Sequence, residues 1–329
     1  MKTKTPCVSV ILAYQDAEST LDFAVKSILN QTFTDFELIL VNNNSNDQSS
    51  NIAWLLSGED DRIILVSEHK KGISNALNTG IGIAKGDFIA FMDAKCFSHP
   101  ERLEKQVNFM KENPVEVVSC LINYTPEDSP KAEIEHYTQW VNSLVSSSEI
   151  YNNRFIGMPV VTPSVMFKHN LVNEFGMFTP GDYPEEYEFW LRWLDYDVSI
   201  KKIPEFLLNW DNPETCGQHN SIPCHTLKTE YQAKWLRDND HPYVWIWKKG
   251  VLEKSKVDYL DDAGIFIEGF IDVENIDFED SYYVNSEEIN WDALAFIIVF
   301  VDKPEERESI FKFFISKMKI ETVNYIISS

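Results

Sequence analysis

Basic residues are scarce in this chain: 29 Lys and Arg face 52 Asp and Glu, a formal net charge of -23. Binding to nucleic acid depends on Lys and Arg neutralising phosphates, so a nucleic-acid partner is excluded as the expected ligand. Long apolar runs are also missing. The longest, Ala293 to Val301, is far shorter than the ~20 residues needed to span a bilayer. The opening Met-Lys-Thr-Lys-Thr-Pro leads straight into a strand pattern, without the apolar core of a signal peptide. The expectation is a cytoplasmic protein with no transmembrane segment, peripheral attachment at the inner face of a membrane being left open. The five cysteines are scattered and odd in number, which fits a reducing compartment better than a disulfide framework.

What is present is a well-packed globular composition, 44% hydrophobic and 13% aromatic. At 329 residues the chain exceeds what one core usually serves, so a large domain and a smaller one are expected. Cys7 to Tyr14 reads as a strand, and Ser19 to Leu29 as a helix with Leu21, Val25, Ile28 and Leu29 on one face. Strand Phe36 to Val41, helix Gly72 to Ala84, strand Asp87 to Met92 and helix Pro100 to Glu112 continue the alternation. Continuous apolar strands between amphipathic helices imply a parallel sheet covered on both faces. Beyond Val115 the pattern loosens, with a helix inside Tyr124 to Ser148 and an aromatic-rich helix at Glu185 to Trp193. Residues 225–242 read as a linking helix, ended by Asn239-Asp240-His241-Pro242. It divides a first domain, 1–224, from a second α/β unit, 243–329. In that unit the pattern predicts strand Val244 to Trp247, helix Leu252 to Asp262, strand Ile265 to Ile271, strand Leu294 to Val301, helix Pro304 to Met318 and strand Thr322 to Ile327.

Five blocks in the first two-thirds of the chain carry a family resemblance. They are Val8-Ser-Val-Ile-Leu-Ala-Tyr14; Ser27-Ile-Leu-Asn-Gln-Thr32 with Phe36-Glu-Leu-Ile-Leu-Val41; Gly72 to Gly80 with Ala84 to Asp93; Thr162-Pro-Ser-Val-Met-Phe167 with Phe175-Gly176; and Glu185-Glu-Tyr-Glu-Phe-Trp-Leu-Arg192. In this order they resemble the family 2 glycosyltransferases, inverting enzymes of the GT-A fold. The resemblance implies an α/β GT-A domain, a nucleotide-sugar donor (a UDP- or dTDP-sugar), and a glycan or lipid-linked acceptor in surface polysaccharide or glycoconjugate assembly. It also implies Mn or Mg at a Leu-Asp-Ala-Asp-Asp strand end. Here that strand end reads Phe91-Met-Asp-Ala-Lys-Cys96.

The residues assigned by the resemblance carry recognisable chemistry. Asn42 stands where the family's first acid contacts the nucleobase, and its amide can still bond a base edge; Asn44 follows in the same Asn-rich turn. The same residue types also make an ordinary polar turn. Asp93 holds the first position of the metal motif, toward ribose or metal. Lys95 replaces a hard-ion ligand by a cation, which leaves Asp93 a degraded metal site and offers an ammonium to the diphosphate instead. Glu186 aligns with the family's base and Glu185 with the acid before it. A carboxylate there can take the acceptor hydroxyl proton. The competing reading of Glu185, Glu186 and Glu188 is a solvated helix face, with Glu188 and Arg192 an i,i+4 pair. His219 matches the family's His near the diphosphate. The neighbouring Cys216, Cys224 and His225 could make a zinc set with it, but their spacing fits one tetrahedral ion poorly.

The second unit resembles the first βαβ of a Rossmann-like nucleotide-binding module, with Asp272 where a ribose-binding acid stands. Its turn keeps only Gly250, while Lys248 and Lys249 fill the space a pyrophosphate would approach. NAD is therefore disfavoured, and the module is expected to pack or to bind a protein partner. Taken together, the expectation is a glycosyltransferase. The alternative is a catalytically inactive GT-A-like protein that binds a nucleotide sugar or acts as a scaffold.

Overall fold

The computed structural model describes residues 5–124, 132–210, 222–274, 282–291, 294, 296–301, 307–316, 319, 321 and 325–328. They form two units, Met1–Ile150 with Val160–Cys216, and Tyr151–Pro159 with Gly217–Ser329.

The first unit begins β1 (Val8–Tyr14), α1 (Leu21–Leu29), β2 (Phe36–Asn42), α2 (Ser49–Glu59), β3 (Ile63–Ser67), α3 (Ile73–Ile83), β4 (Phe88–Asp93), β5 (Cys96–Ser98) and α4 (Arg102–Glu112). It continues β6 (Val117–Tyr124), α5 (Ala132–Ser143), α6 (Ser147–Asn152), a 3-10 turn (Thr162–Ser164), β7 (Met166–Lys168), α7 (Leu171–Phe175), α8 (Glu185–Asp195) and β8 (Ile200–Trp210). All of β1 is buried, as a strand covered on both faces must be. Val8, Val10 and Leu12 share one core with Leu21 and Val25 of α1, Leu56 of α2 and Leu103 and Val107 of α4. On the opposite face Ile11 meets α3, so closely that a Cβ on Gly80 would lie 2.5 Å from it. Only glycine fits that crossing.

The sheet order is β3-β2-β1-β4-β7-β6-β8-β5. The half from β3 to β4 is parallel, as the apolar runs require. The other half is mixed, because β7 runs antiparallel to β4 and β6, and β5 antiparallel to β8. β5 and β7 have three residues each, too few to show a period in sequence. At the amino ends the buried Ser9 hydroxyl donates to Glu37 (2.6 Å) and accepts from the Gly86 amide (2.8 Å), while the Lys85 amide reaches the same Glu37 oxygen (2.7 Å). This network ties β1, β2 and the entry to β4.

The second unit holds α9 (Ile222–Asp238), β9 (Tyr243–Val251), α10 (Lys254–Asp262), β10 (Phe266–Glu274), β11 (Tyr282–Val284), β12 (Ile297–Phe300), α11 (Arg307–Ser316) and β13 (Tyr325–Ser328). Its strands are all parallel in the order β11-β10-β9-β12-β13. The chain thus winds outward from β9 in one direction and then in the other, the doubly wound pattern. The segment 151–159 meets α9 through Arg154, whose guanidinium lies over the Trp235 ring at 5.5 Å. The Trp235 indole also donates to the Tyr151 hydroxyl (2.9 Å).

One expectation needs correction here. β9 does not stop at Trp247; it runs through Lys248, Lys249 and Gly250 to Val251, pairing Gly250 with Val273 and Val251 with Glu274. The residues read as a turn are strand, because the ladder continues past a bulge at Asp272, whose φ is 55°.

Candidate active site

The carboxyl ends of β2 and β4 place Asn42 and Asp93. These strands are not adjacent; they flank β1, with Asn42 in register with Tyr14 and Asp93 with Ala13. The two residues therefore end their strands one register position apart on either side of β1, at the edge where open α/β sheets bind ligands. The Asn42 amide accepts from the Ser45 N–H (3.0 Å) and donates to the Ser50 hydroxyl (2.8 Å). Asn44 takes a left-handed conformation, φ 62°, which asparagine tolerates better than most residues. Its amide nitrogen donates to the Glu68 and His69 carbonyls, each at 3.2 Å. Asn43 bonds Glu68, Lys70 and the Gly72 amide. The Asn-rich turn thus fastens the loop between β3 and α3, and the Asn44 nitrogen serves that loop.

Beyond β4, the Asp93 carboxylate accepts the Lys95 amide at 2.7 Å, closing a tight turn. Cys96 is buried in β5, so the position of the family's third acid belongs to the core. Asp93 is the turn's one carboxylate, with a lysine two residues on, and no metal-holding cluster of His, Cys, Asp or Glu occurs among the described residues. A hard divalent ion needs several oxygens. The donor set does not fit one.

Glu186 lies in the first turn of α8, part-buried. Thr162 donates to its carboxylate at 2.8 Å, and the Trp190 indole donates to the Thr162 hydroxyl at 3.1 Å, orienting it. Burial pushes the Glu186 carboxyl up to about 7; the negative charges of Asp93 and Glu185 add to this, and the Thr162 bond opposes it. The influence of Asp93 places both carboxylates in one electrostatic neighbourhood. A carboxyl raised into this range is poised to take or give a proton near neutral pH.

The remaining candidates divide. Glu185 accepts the Gly181 amide at 2.8 Å, fastening the loop before α8. Glu188 and Arg192 do pair, at 2.8 Å, but not on a solvated face: Glu188 is buried. Arg192 also donates to the Phe175 and Met177 carbonyls, so the pair clamps the chain entering α8. His219 lies outside the described residues, as do Cys216 and the side chains of Cys224 and His225. Sequence reasoning missed Thr162 as the partner of Glu186 and Trp190 as the partner of Thr162, although both stand in the blocks it singled out. It also missed Tyr14, whose hydroxyl pKa is raised to about 12 by burial and by Asp47.

In the second unit, Asp272 accepts from the Trp247 indole (2.9 Å) and the Ser286 amide (2.7 Å). Both carboxylate oxygens are engaged within the unit, where a ribose acid would face outward.

A large mixed α/β sheet with turns at its strand ends, and a carboxylate whose pKa burial raises, is an arrangement suited to holding a ligand at the sheet edge. The model of the glycosyl transferase family 2 matches residues 9–174, half of the 329 residues, and the chain belongs to that family. An uncharacterised glycosyltransferase of Methanocaldococcus jannaschii is 29% identical over 265 residues, 78% of this chain and 88% of its own. The O-antigen biosynthesis glycosyltransferase WbnJ of Escherichia coli is 29% identical over 232 residues, 69% and 83% of the two chains. Among solved structures, S. aureus TarS 1-349 in complex with UDP-GlcNAc superposes with a TM-score of 0.53 at 15% identity, covering 78% of this chain and 71% of that one. At that identity the likeness concerns the fold. No helix among the described residues is long and apolar enough to cross a membrane.

Proposed function

We propose that this glycosyltransferase moves a sugar, with inversion, from a UDP- or dTDP-sugar to a glycan or lipid-linked acceptor in surface polysaccharide assembly. The observation that carries the reading is Glu186: a carboxylate raised to about 7 and oriented by Thr162, in the electrostatic reach of Asp93. In this reading the acceptor oxygen attacks the anomeric carbon as the bond to the diphosphate breaks, and the hydroxyl proton passes to Glu186. The leaving diphosphate gains negative charge, which Lys95 stabilises as a point charge. Asn42 and Asp93 hold the nucleoside, with His219 assigned to the diphosphate by family position alone. The relative named for O-antigen biosynthesis supports the pathway class, and the neighbour solved with UDP-GlcNAc supports the donor class.

In the second unit we infer a packing or partner-binding role, because Asp272 is engaged internally and Lys248 and Lys249 continue a strand. NAD is not its ligand in this reading.

Glu186→Gln keeps the side-chain size and removes basicity. Transfer measured as nucleoside diphosphate release should fall about a hundredfold or more with sugar-donor binding retained. Near-unchanged transfer by the variant would refute the base. Donor binding without turnover in the unmodified chain would favour a nucleotide-sugar-binding protein, the reading that Lys95 and the buried Cys96 support.

A further inference from the structure

Helix α4 carries two wholly buried polar side chains one turn apart, Arg102 and Gln106, where a helix packed on a sheet would bury apolar ones. Burying a guanidinium is costly, and burial lowers the Arg102 pKa. Its partners are carbonyls rather than carboxylates. Both terminal nitrogens donate to the Phe91 carbonyl at 3.3 Å, and Nη1 also donates to the Pro163 carbonyl at 2.5 Å. Gln106 donates to the Ser164 carbonyl at 2.8 Å.

These acceptors belong to two segments of interest. Phe91 lies on β4 two residues before Asp93. Pro163 and Ser164 follow Thr162 in the turn that holds Glu186. The Phe91 amide donates to the Val165 carbonyl at 3.0 Å and β4 pairs with β7 from Phe88 to Ala90, so the backbone joins the segments on the β7 side of the turn. Arg102 and Gln106 add side-chain bonds from α4, Arg102 to both segments through Phe91 and Pro163 and Gln106 to the second through Ser164. The planar fork of Arg can reach two carbonyls in fixed geometry, which Lys cannot.

We propose that Arg102 and Gln106 are positioning residues that fix Asp93, on the sugar-donor side, relative to the Thr162–Glu186 pair on the acceptor side. The inference rests on Glu186 being the base. Neither residue touches substrate; each acts through a backbone carbonyl. An error of about 1 Å between the two sides can lower the rate about a hundredfold.

The test uses the full chain with Arg102→Lys, Gln106→Leu and, as control, Lys202→Met. Lys202 is another buried basic residue of this unit, bonded to the Val141 carbonyl. Hydrogen exchange is read on peptides spanning residues 88–94 and 161–166. Exchange in both should quicken about tenfold in Arg102→Lys, and in the second in Gln106→Leu, with no change in the control. Turnover of UDP-GlcNAc is then measured per binding-competent site, the sites being counted by UDP calorimetry. In both test variants kcat per site should fall about ten- to hundredfold with the donor KM within about twofold, whereas mere destabilisation only lowers the number of sites. Unaltered exchange in both segments would overturn the brace. Altered exchange with unaltered kcat per site would overturn its role in the reaction. An unmodified chain that binds UDP but releases no nucleoside diphosphate from any UDP- or dTDP-sugar would instead contradict the proposed transfer, and the brace would be decided by exchange alone.

Discussion

Glu186 shows how one residue can link stability to chemistry. Its folded pKa, about 7, lies above its ordinary value of 4.5, chiefly because of burial. Below both values the carboxyl is protonated folded and unfolded, and it contributes nothing. Between them the unfolded chain ionises first, so stability falls as pH rises, and above about 7 the full cost remains. Glu186→Gln should therefore stabilise the protein by roughly 1 to 3 kcal/mol at pH 8 and by about nothing at pH 4. Urea midpoints at the two pH values check this, and equal gains at both would contradict it. As a base, the same carboxylate must be ionised, so kcat/KM should rise about tenfold per pH unit up to about 7 and then level. A rate independent of pH from 5 to 8 would remove Glu186 from proton transfer.

At the scale of elements, α8 rests on a buried ion pair. Glu188→Ala leaves the part-buried Arg192 guanidinium beside the Phe175 and Met177 carbonyls without its carboxylate. Losing one partner of a buried pair should cost about 3 kcal/mol, read as a lower urea midpoint with an unchanged slope; a loss below about 0.5 kcal/mol would show the pair to be solvated. Much of this architecture was legible: β1, β2 and β4 are continuous apolar runs, and α1 and α3 show a clear face. The mixed half of the sheet was not, because β5 and β7 are too short to carry a pattern and the pairing of β4 with β7 is long-range. At the site, Glu186 and Asp93 stood out from the family blocks. The burial of Glu188, and the hold of Thr162 on Glu186, depend on where α8 meets the 3-10 turn. No local spacing encodes that meeting. Likewise Lys248 to Gly250 looked like a turn because a lone glycine follows two lysines, yet the β10 ladder keeps them extended.

Across the whole molecule the two units have separate cores and separate sheets, so heat should unfold the protein in more than one step. A nucleoside diphosphate bound at the strand ends of the first unit should raise only that unit's transition; scanning calorimetry with UDP reads it, and an equal shift of every transition would contradict separate responses. A chain with a net charge of -23 repels a diphosphate as a whole, which makes a local cation the more consequential. In the proposed reaction the GT-A site binds its nucleotide with Lys95 in place of a metal ion. Titration calorimetry of UDP, in EDTA and in Mn, on the unmodified protein and on Lys95→Asp, tests it most directly. The unmodified protein should bind UDP with similar affinity with and without Mn, and Lys95→Asp should lose affinity in EDTA and regain it in Mn. Binding by the unmodified protein only when Mn is present would contradict it.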